Sequence, residues 1–163
     1  MVQRANHDHE HSYACYCLPM WQRVLLRIFE YLMIFLIGGA VYVCMEILWR
    51  GYSHWTMFIV GGLCLLIVGA LNECVYGSHW GIVKQALLGA VVITLIEFAV
   101  GIVVNVLLNW NVWDYSDVPF NILGQVCIPY MVMWFALSFV AIYVDDLIRH
   151  KFFDGPKPKY TIW

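Results

Sequence analysis

A single carboxylate inside a long apolar stretch is the most informative chemical feature of the sequence. Glu97 lies near the middle of the run from about Ile82 to Leu108. A carboxylate at the centre of a bilayer costs about 2.5–3.5 kcal/mol on insertion scales, so it should face protein or water. Gly101 and Asn105 follow at four-residue steps and share its helix face. These three residues predict one of two roles. They form a site for a substrate or a proton, or they make an interhelical hydrogen bond that fixes the packing.

Small and polar residues of two other runs are predicted to lie near the depth of Glu97. Counting inward from the outer ends of the helices places Ser138 level with Glu97, and Gly38 and Gly39 slightly nearer the outside. We therefore expect Glu97 to face Ser138 across a gap lined by glycine.

Charged pairs at helical spacing mark the ends of the apolar runs. Glu46 and Arg50 are four residues apart in the order that favours a helical ion pair. The pair either anchors the helix end or lines a polar pocket that opens outward. Two further pairs of this type are predicted to be interface anchors: Arg27 with Glu30, and Asp145 with Arg149.

The N-terminal segment contains side chains that bind transition metals. Imidazoles and thiolates suit zinc, nickel or copper, but their spacing matches no structural zinc motif. A solvated tail and a regulatory metal site both remain open for His7, His9, His11, Cys15 and Cys17. No hydrolase or nucleotide-binding motif occurs, so we predict neither an enzyme nor a cofactor.

The composition decides which elements must position these residues. The chain has 163 residues, of which 63% are hydrophobic and 12% charged. Soluble domains are nearer half apolar and a quarter charged, so lipid must cover the excess apolar surface. A net charge of −2 excludes a basic nucleic-acid-binding surface.

Four continuously apolar runs predict an all-α polytopic membrane protein, because a β-barrel would show alternating hydrophobicity. The predicted bundle of four transmembrane helices occupies residues 23–149, between a polar tail at 1–22 and a short basic tail at 150–163. The four runs are about Val24 to Leu48, Trp55 to Leu71, Ile82 to Leu108 and Val126 to Ile148.

The distribution of basic residues predicts the orientation. Eight of the nine Lys and Arg residues lie on the side of the termini, and Arg50 alone lies opposite. The positive-inside rule then places both termini in the cytoplasm. Residues 50–55 and 110–125 form the outer loops.

The long outer loop, between the third and fourth helices, is rich in turn formers and aromatic residues, and it should be structured. It is either a folded cap in the headgroup layer or a polar mouth. In the second interpretation Asp114, Asp117 and Asn121 meet a ligand or partner.

The loop and its flanking helices resemble a known family. The sequence is similar to the CmpB-like putative ABC-transporter type IV family (putative ABC transporter permeases), small bacterial membrane proteins, over roughly residues 30–148. The resemblance is carried by an acid-bearing helix, a loop of the form WDYS…FN..G..C and a final helix with a tryptophan. These residues are Glu97, Gly101, Asn105, Trp113, Asp114, Tyr115, Ser116, Phe120, Asn121, Gly124, Cys127 and Trp134.

The resemblance implies a permease-like protein of the bacterial inner membrane that moves a small solute and lacks its own ATPase. The expected partners are the lipid bilayer, further copies of the chain or another membrane subunit, and a separate ATPase subunit. The alternative is a membrane module that transports nothing and binds a lipid or protein through its outer aromatic loop.

Overall fold

Four long helices form the molecule in this computed structural model, which describes residues 19–75, 80–153, 155 and 160–162, with only the backbone of 73–75. All four are long and apolar enough to cross a membrane, so the predicted all-α fold is confirmed. Pro129 stands in the first turn of the last helix, where its missing N–H breaks no bond. The helices are α1 (Met20–Arg50), α2 (Trp55–Val75), α3 (Ile82–Gly101) and α4 (Ile128–Phe152).

The core lies between α2, α3 and α4, and α1 packs chiefly on α2. Over the most apolar 18 residues of each helix, 56% of α2 is buried but only 17% of α1. Lipid must therefore cover most of α1. The central apolar cluster contains Val60, Cys64, Val68, Ala86, Ala90, Ile93, Trp134 and Ile142.

Glycines allow α1 and α2 to approach closely. A Cβ added at Gly61 would lie 2.3 Å from the Cβ of Tyr42 and 2.9 Å from the backbone oxygen of Gly38. A Cβ added at Gly39 would lie 2.6 Å from the backbone oxygen of Phe58. Small residues at such contacts are the usual basis of helix association in lipid, where the hydrophobic effect contributes little between helices.

Replacing Gly61 by alanine is therefore expected to destabilise the protein by about 1–3 kcal/mol, because the added methyl group forces α1 away from α2. Denaturant titration in micelles, followed by circular dichroism, measures the loss. Ala70→Leu adds a larger side chain on the exposed face of the same helix and should change stability little. Equal losses in the two variants would contradict the close-packing explanation.

The outer loop, residues 108–127, is folded against the helix ends. α3 continues as a π-helical segment, Ile102–Leu107, a distortion that occurs often at functional sites. The strands β1 (Asn121–Ile122) and β2 (Val126–Cys127) then pair in antiparallel fashion and lead into α4. Val112, Trp113 and the Gln125 to Cys127 segment are buried, so one side of this loop faces the bundle.

A polar network closes the opposite end of the bundle, near the start of α1 and the end of α4. Arg149 of α4 bonds to Glu30 of α1 at 2.5 Å and to Asp145 at 2.8 Å, and each of the three side chains is at most 7% exposed. Arg27 also reaches Glu30, at 3.0 Å, from an exposed position. The predicted pairs are present, but Arg149 joins two of them into one interhelical network.

The segment after α4 returns to the bundle. The backbone N–H of Ile82 donates to the oxygen of Thr161 at 2.7 Å, and the Tyr160 hydroxyl donates to Asp146 at 2.7 Å. Asn72 of α2 donates to the other oxygen of Asp146. The described part of the predicted basic tail therefore bonds to α3 and α4, and Asp146 links it to Asn72 of α2.

Candidate functional site

The candidate site is centred on the carboxyl group of Glu97, where α3, the outer loop and α4 meet. Glu97 is 2% exposed. The Tyr115 hydroxyl donates to its Oε1 at 3.0 Å, and the Trp134 indole N–H donates to its Oε2 at 2.7 Å. In the part of the chain that the structure describes, no Lys, Arg or His side chain bonds to this carboxyl group. Both of its partners are neutral donors.

Each aromatic partner of the carboxyl group stacks on a further ring. Tyr42 of α1 stacks on Trp134, with ring centroids 5.8 Å apart and planes 22° from parallel. Tyr130 stacks on Tyr115 with centroids 4.5 Å apart and an angle of 18°. The two rings that bond to the carboxyl group, Tyr115 and Trp134, are thus each stacked on a second ring.

The hydrogen-bond partners of Glu97 fit both of its protonation states. An ionised carboxylate accepts from both donors, as the distances show. A protonated carboxyl can instead donate to the Tyr115 oxygen, because a hydroxyl is both donor and acceptor, whereas the Trp134 indole can only donate. Burial and the nearby Glu97 raise the pKa of Tyr115 above its usual range, so this hydroxyl keeps its proton. The carboxyl group can therefore gain or lose one proton and keep a hydrogen bond to each of these two side chains.

Asn105 holds the outer loop above the site. Its Nδ2 donates to Gln125 Oε1 at 2.8 Å, and its Oδ1 accepts from the backbone N–H of Val112 at 2.7 Å. The Trp113 indole N–H donates to the backbone oxygen of Gln125 at 2.9 Å. A Cβ on Gly101 would lie 2.6 Å from Gln125 Oε1, so a larger residue there would displace the Gln125 side chain.

Asn105→Ala is expected to loosen this cover, because it leaves the buried Val112 N–H and Gln125 side chain without their partner. Each unpaired buried group costs about 1–3 kcal/mol. Hydrogen exchange of the backbone amides at 112–116, followed by mass spectrometry, should become faster. Asp117→Ala serves as the control, since the Asp117 side chain is exposed and makes no described hydrogen bond. Unchanged exchange in the Asn105 variant would contradict this role.

The polar residues of the loop motif shape the loop itself. Asp114 accepts from the backbone N–H and the hydroxyl of Ser116, and these bonds hold the pKa of Asp114 below its usual value. Asn121 donates to the oxygens of Ser116 and Val118 and accepts from the N–H of Gly124. Gly124 has φ of +68° and lies too close to Asp114 and Ser116 for a side chain. These contacts give the loop a defined structure, while Asp117 stays exposed.

Glu46 and Arg50 form the predicted ion pair, at 2.6 Å. Arg50 also donates to the backbone oxygen of Val112 at 3.1 Å, and the Ser53 hydroxyl donates to Glu46. The pair therefore ties the end of α1 to both outer loops. The geometry favours the anchor over an open polar pocket.

Ser138 does not face Glu97 as the sequence predicted. It donates to the backbone oxygen of Trp134, one turn earlier, and its hydroxyl packs against Gly89. Ser138 is not level with Glu97, because Gly89 lies about two helical turns before Glu97 on α3. Trp134, one turn before Ser138 on α4, donates to Glu97 instead. Gly38 and Gly39 pack against α2 and line no gap at Glu97.

Some predicted residues lie outside the described part of the chain, and some site residues were not predicted. His7, His9, His11, Cys15 and Cys17 belong to the first group. Among the described residues, no three His, Cys, Asp or Glu side chains cluster as metal ligands. Tyr42, Gln125 and Tyr130 belong to the second group. Tyr42 could have been found, since it stands four residues before Glu46 on the same helix face.

One family matches most of the chain. The family described as "Putative ABC-transporter type IV" matches residues 33–162, which include every described residue of the Glu97 site and the outer loop. No solved structure matches the chain. The four apolar helices and this ABC-transporter-related family fit a multi-pass membrane transport protein.

Proposed function

This chain belongs to the putative ABC-transporter type IV family, and from that premise we propose that it is a permease-like transport protein for a small solute, without an ATPase of its own. One observation carries the proposal: among the described residues, only neutral donors bond to this buried carboxyl group of the membrane region. Intramembrane carboxyl groups commonly mark substrate or ion pathways. A purely structural carboxylate would gain more from a cationic partner, as Glu30 does at the other end of the bundle.

The outer loop supplies the gate in this proposal. It covers Glu97 through the Tyr115 hydroxyl and is held in place by Asn105. A solute reaches Glu97 from outside when Tyr115 moves away with the loop. The Glu97 oxygens that accept from Tyr115 and Trp134 can then bind the solute. Asn105 acts as a positioning residue.

A transport assay with several classes of solute tests the proposal. Protein purified from its native membranes in mild detergent, with any subunit that stays bound, is placed in liposomes with ATP on both sides of the membrane. Neutral, anionic and cationic small solutes are added in turn, and uptake is compared with that of protein-free liposomes. We expect faster uptake of at least one class, lost in Glu97→Gln and kept in the surface variant Asp117→Asn. Absence of uptake in all three classes, or full uptake in Glu97→Gln, would refute the proposal.

We propose that a separate subunit supplies ATP hydrolysis. Purification of the chain from its native membranes in mild detergent should yield ATPase activity that vanadate inhibits. A mock purification from membranes lacking the tagged chain is the control. Absence of ATPase activity from the eluate would refute the separate ATPase subunit. The proposed transport would then be driven by an ion gradient.

The proposed location is the bacterial inner membrane with both termini in the cytoplasm. Because eight of nine basic residues lie on the side of the termini, a reporter fused after Ser116 should be external and reporters at the termini cytoplasmic. Alkaline phosphatase and green fluorescent protein fusions measure this. A cytoplasmic reporter at Ser116 would refute the orientation.

The alternative function, binding of a lipid or protein by the outer loop, is favoured by one observation. Phe120, Ile122 and Leu123 are 76%, 59% and 70% exposed on the β1–β2 hairpin. Their replacement by serine would abolish binding in that case and leave Glu97→Gln without effect. The transport proposal predicts instead that Glu97→Gln abolishes uptake and that the serine replacements leave it unchanged.

A further inference from the structure

We propose that the solute taken by the Glu97 site is an organic ammonium ion, exchanged for a proton. The inference rests on the proposed function, because it names the class of solute for the same site. It starts from one acid that bonds to two aromatic side chains, each stacked on a further ring, and that has no described basic partner.

Charge selects the class of solute. The only charge that Glu97 can provide is negative, and its described partners are a hydroxyl and an indole. An anionic solute would meet repulsion and no countercharge. A cationic solute would find the countercharge that the protein itself does not supply. The carboxyl group is 2% exposed, so a bound cation would be removed from water, where this attraction is strongest.

The aromatic rings select an organic cation over a metal ion. A metal ion of the alkali or alkaline-earth groups needs several oxygen ligands, and the described site offers one carboxyl group and one tyrosine hydroxyl at hydrogen-bond distance. An ammonium group with alkyl substituents is instead attracted to ring faces, most strongly to tryptophan. Trp134 and Tyr42 form one stacked pair, and Tyr115 and Tyr130 form the other. Loop movement would separate the pairs and admit the cation between them.

Glu97 is the group that exchanges a proton for the ammonium ion. Tyr42 and Glu46 of α1 and Cys64 of α2 interact electrostatically with Glu97, beside Tyr115 of the loop. Glu46 has its own partner in Arg50. The exchange is balanced: the protonated carboxyl releases one proton to water, and the resulting carboxylate binds one ammonium ion. Proton and cation cannot occupy the carboxyl group together.

Binding of benzyltrimethylammonium to the purified protein tests the inference. Quenching of tryptophan fluorescence measures occupancy, and a pH dye in weakly buffered micelles counts released protons. We expect saturable binding with up to one proton released per cation, and an affinity that falls up to tenfold for each unit by which the pH is lowered. Neopentylbenzene, the neutral molecule of the same shape, should not compete.

Variants connect the binding to the site. Glu97→Gln should weaken binding more than tenfold and abolish proton release, whereas Asp117→Asn should behave as the native protein. Glu97→Asp keeps the acid and should bind measurably. It serves as the second variant if Glu97→Gln fails to give a monodisperse peak on size exclusion.

The outcomes separate the two proposals. If a neutral or anionic solute crosses the liposome membrane and benzyltrimethylammonium neither binds nor crosses, the ammonium class is wrong and the transport function stands. If benzyltrimethylammonium binds with proton release but no solute crosses, the binding site stands and the transport function fails. Binding that Glu97→Gln leaves unchanged refutes the inference.

Discussion

Arg149→Ala is expected to lower the free energy of unfolding by about 3–5 kcal/mol, the usual effect of removing one partner from a buried ion pair. The guanidinium group is 7% exposed and is shared by Glu30 and Asp145, which are 5% and 0% exposed. Without it, two buried carboxylates lose their common cation. Gly69 brings the α2 backbone close to Asp145, which leaves little room for rearrangement. Chemical denaturation in micelles measures the loss.

Arg27→Ala is the matched control, because Arg27 contacts the same carboxylate of Glu30 from a side chain that is 65% exposed. Exposed pairs contribute about 0–1 kcal/mol. The triple variant Arg149→Met, Glu30→Gln, Asp145→Asn should recover much of the lost stability, since no buried charge remains. A loss in Arg27→Ala as large as in Arg149→Ala would contradict the assignment.

Trp134→Ala should destabilise the protein by about 3–5 kcal/mol, the range for deleting a buried aromatic side chain. Trp134 is 6% exposed, belongs to the core of α2, α3 and α4, and stacks on Tyr42. Its removal leaves a cavity and takes a hydrogen bond from Glu97. Thermal unfolding followed by circular dichroism measures the change.

Trp134→Phe separates these two effects, because phenylalanine keeps a ring but has no donor for Glu97. Its expected cost is about 1–3 kcal/mol, that of one buried acceptor without its partner. If Trp134→Phe were as harmful as Trp134→Ala, the hydrogen bond would dominate. If it were silent, the bond to Glu97 would contribute nothing to stability.

The sequence predicts the helices well, because their positions follow from the free energy of placing apolar segments in lipid. The run expected from Ile82 to Leu108 is observed as α3 and the π-helical segment that ends at Leu107. The ends are less predictable: α1 begins at Met20 and α4 ends at Phe152, where amphipathic side chains can lie at the membrane surface.

The site is only partly predictable, because depth along a helix does not give rotation or side-chain reach. Glu97 and Asn105 were found as polar residues in apolar surroundings, and both are buried at the loop. Ser138 was expected level with Glu97, but it packs against Gly89, eight residues earlier on α3, and Trp134 bonds to Glu97. The bond from Tyr115 depends on the folding of the whole outer loop, which no helical period describes.

The backbone contacts between α3 and residues 161 and 162 impose an order on biogenesis. The first amide groups of α3, at Ile82 and Val83, donate to the oxygens of Thr161 and Ile162. Gly81, just before the helix, has no side chain that could cap them. During synthesis α3 therefore inserts with these groups uncapped, and they remain so until the ribosome has added some eighty further residues. The final closure of this end of the bundle thus follows the insertion of all four helices.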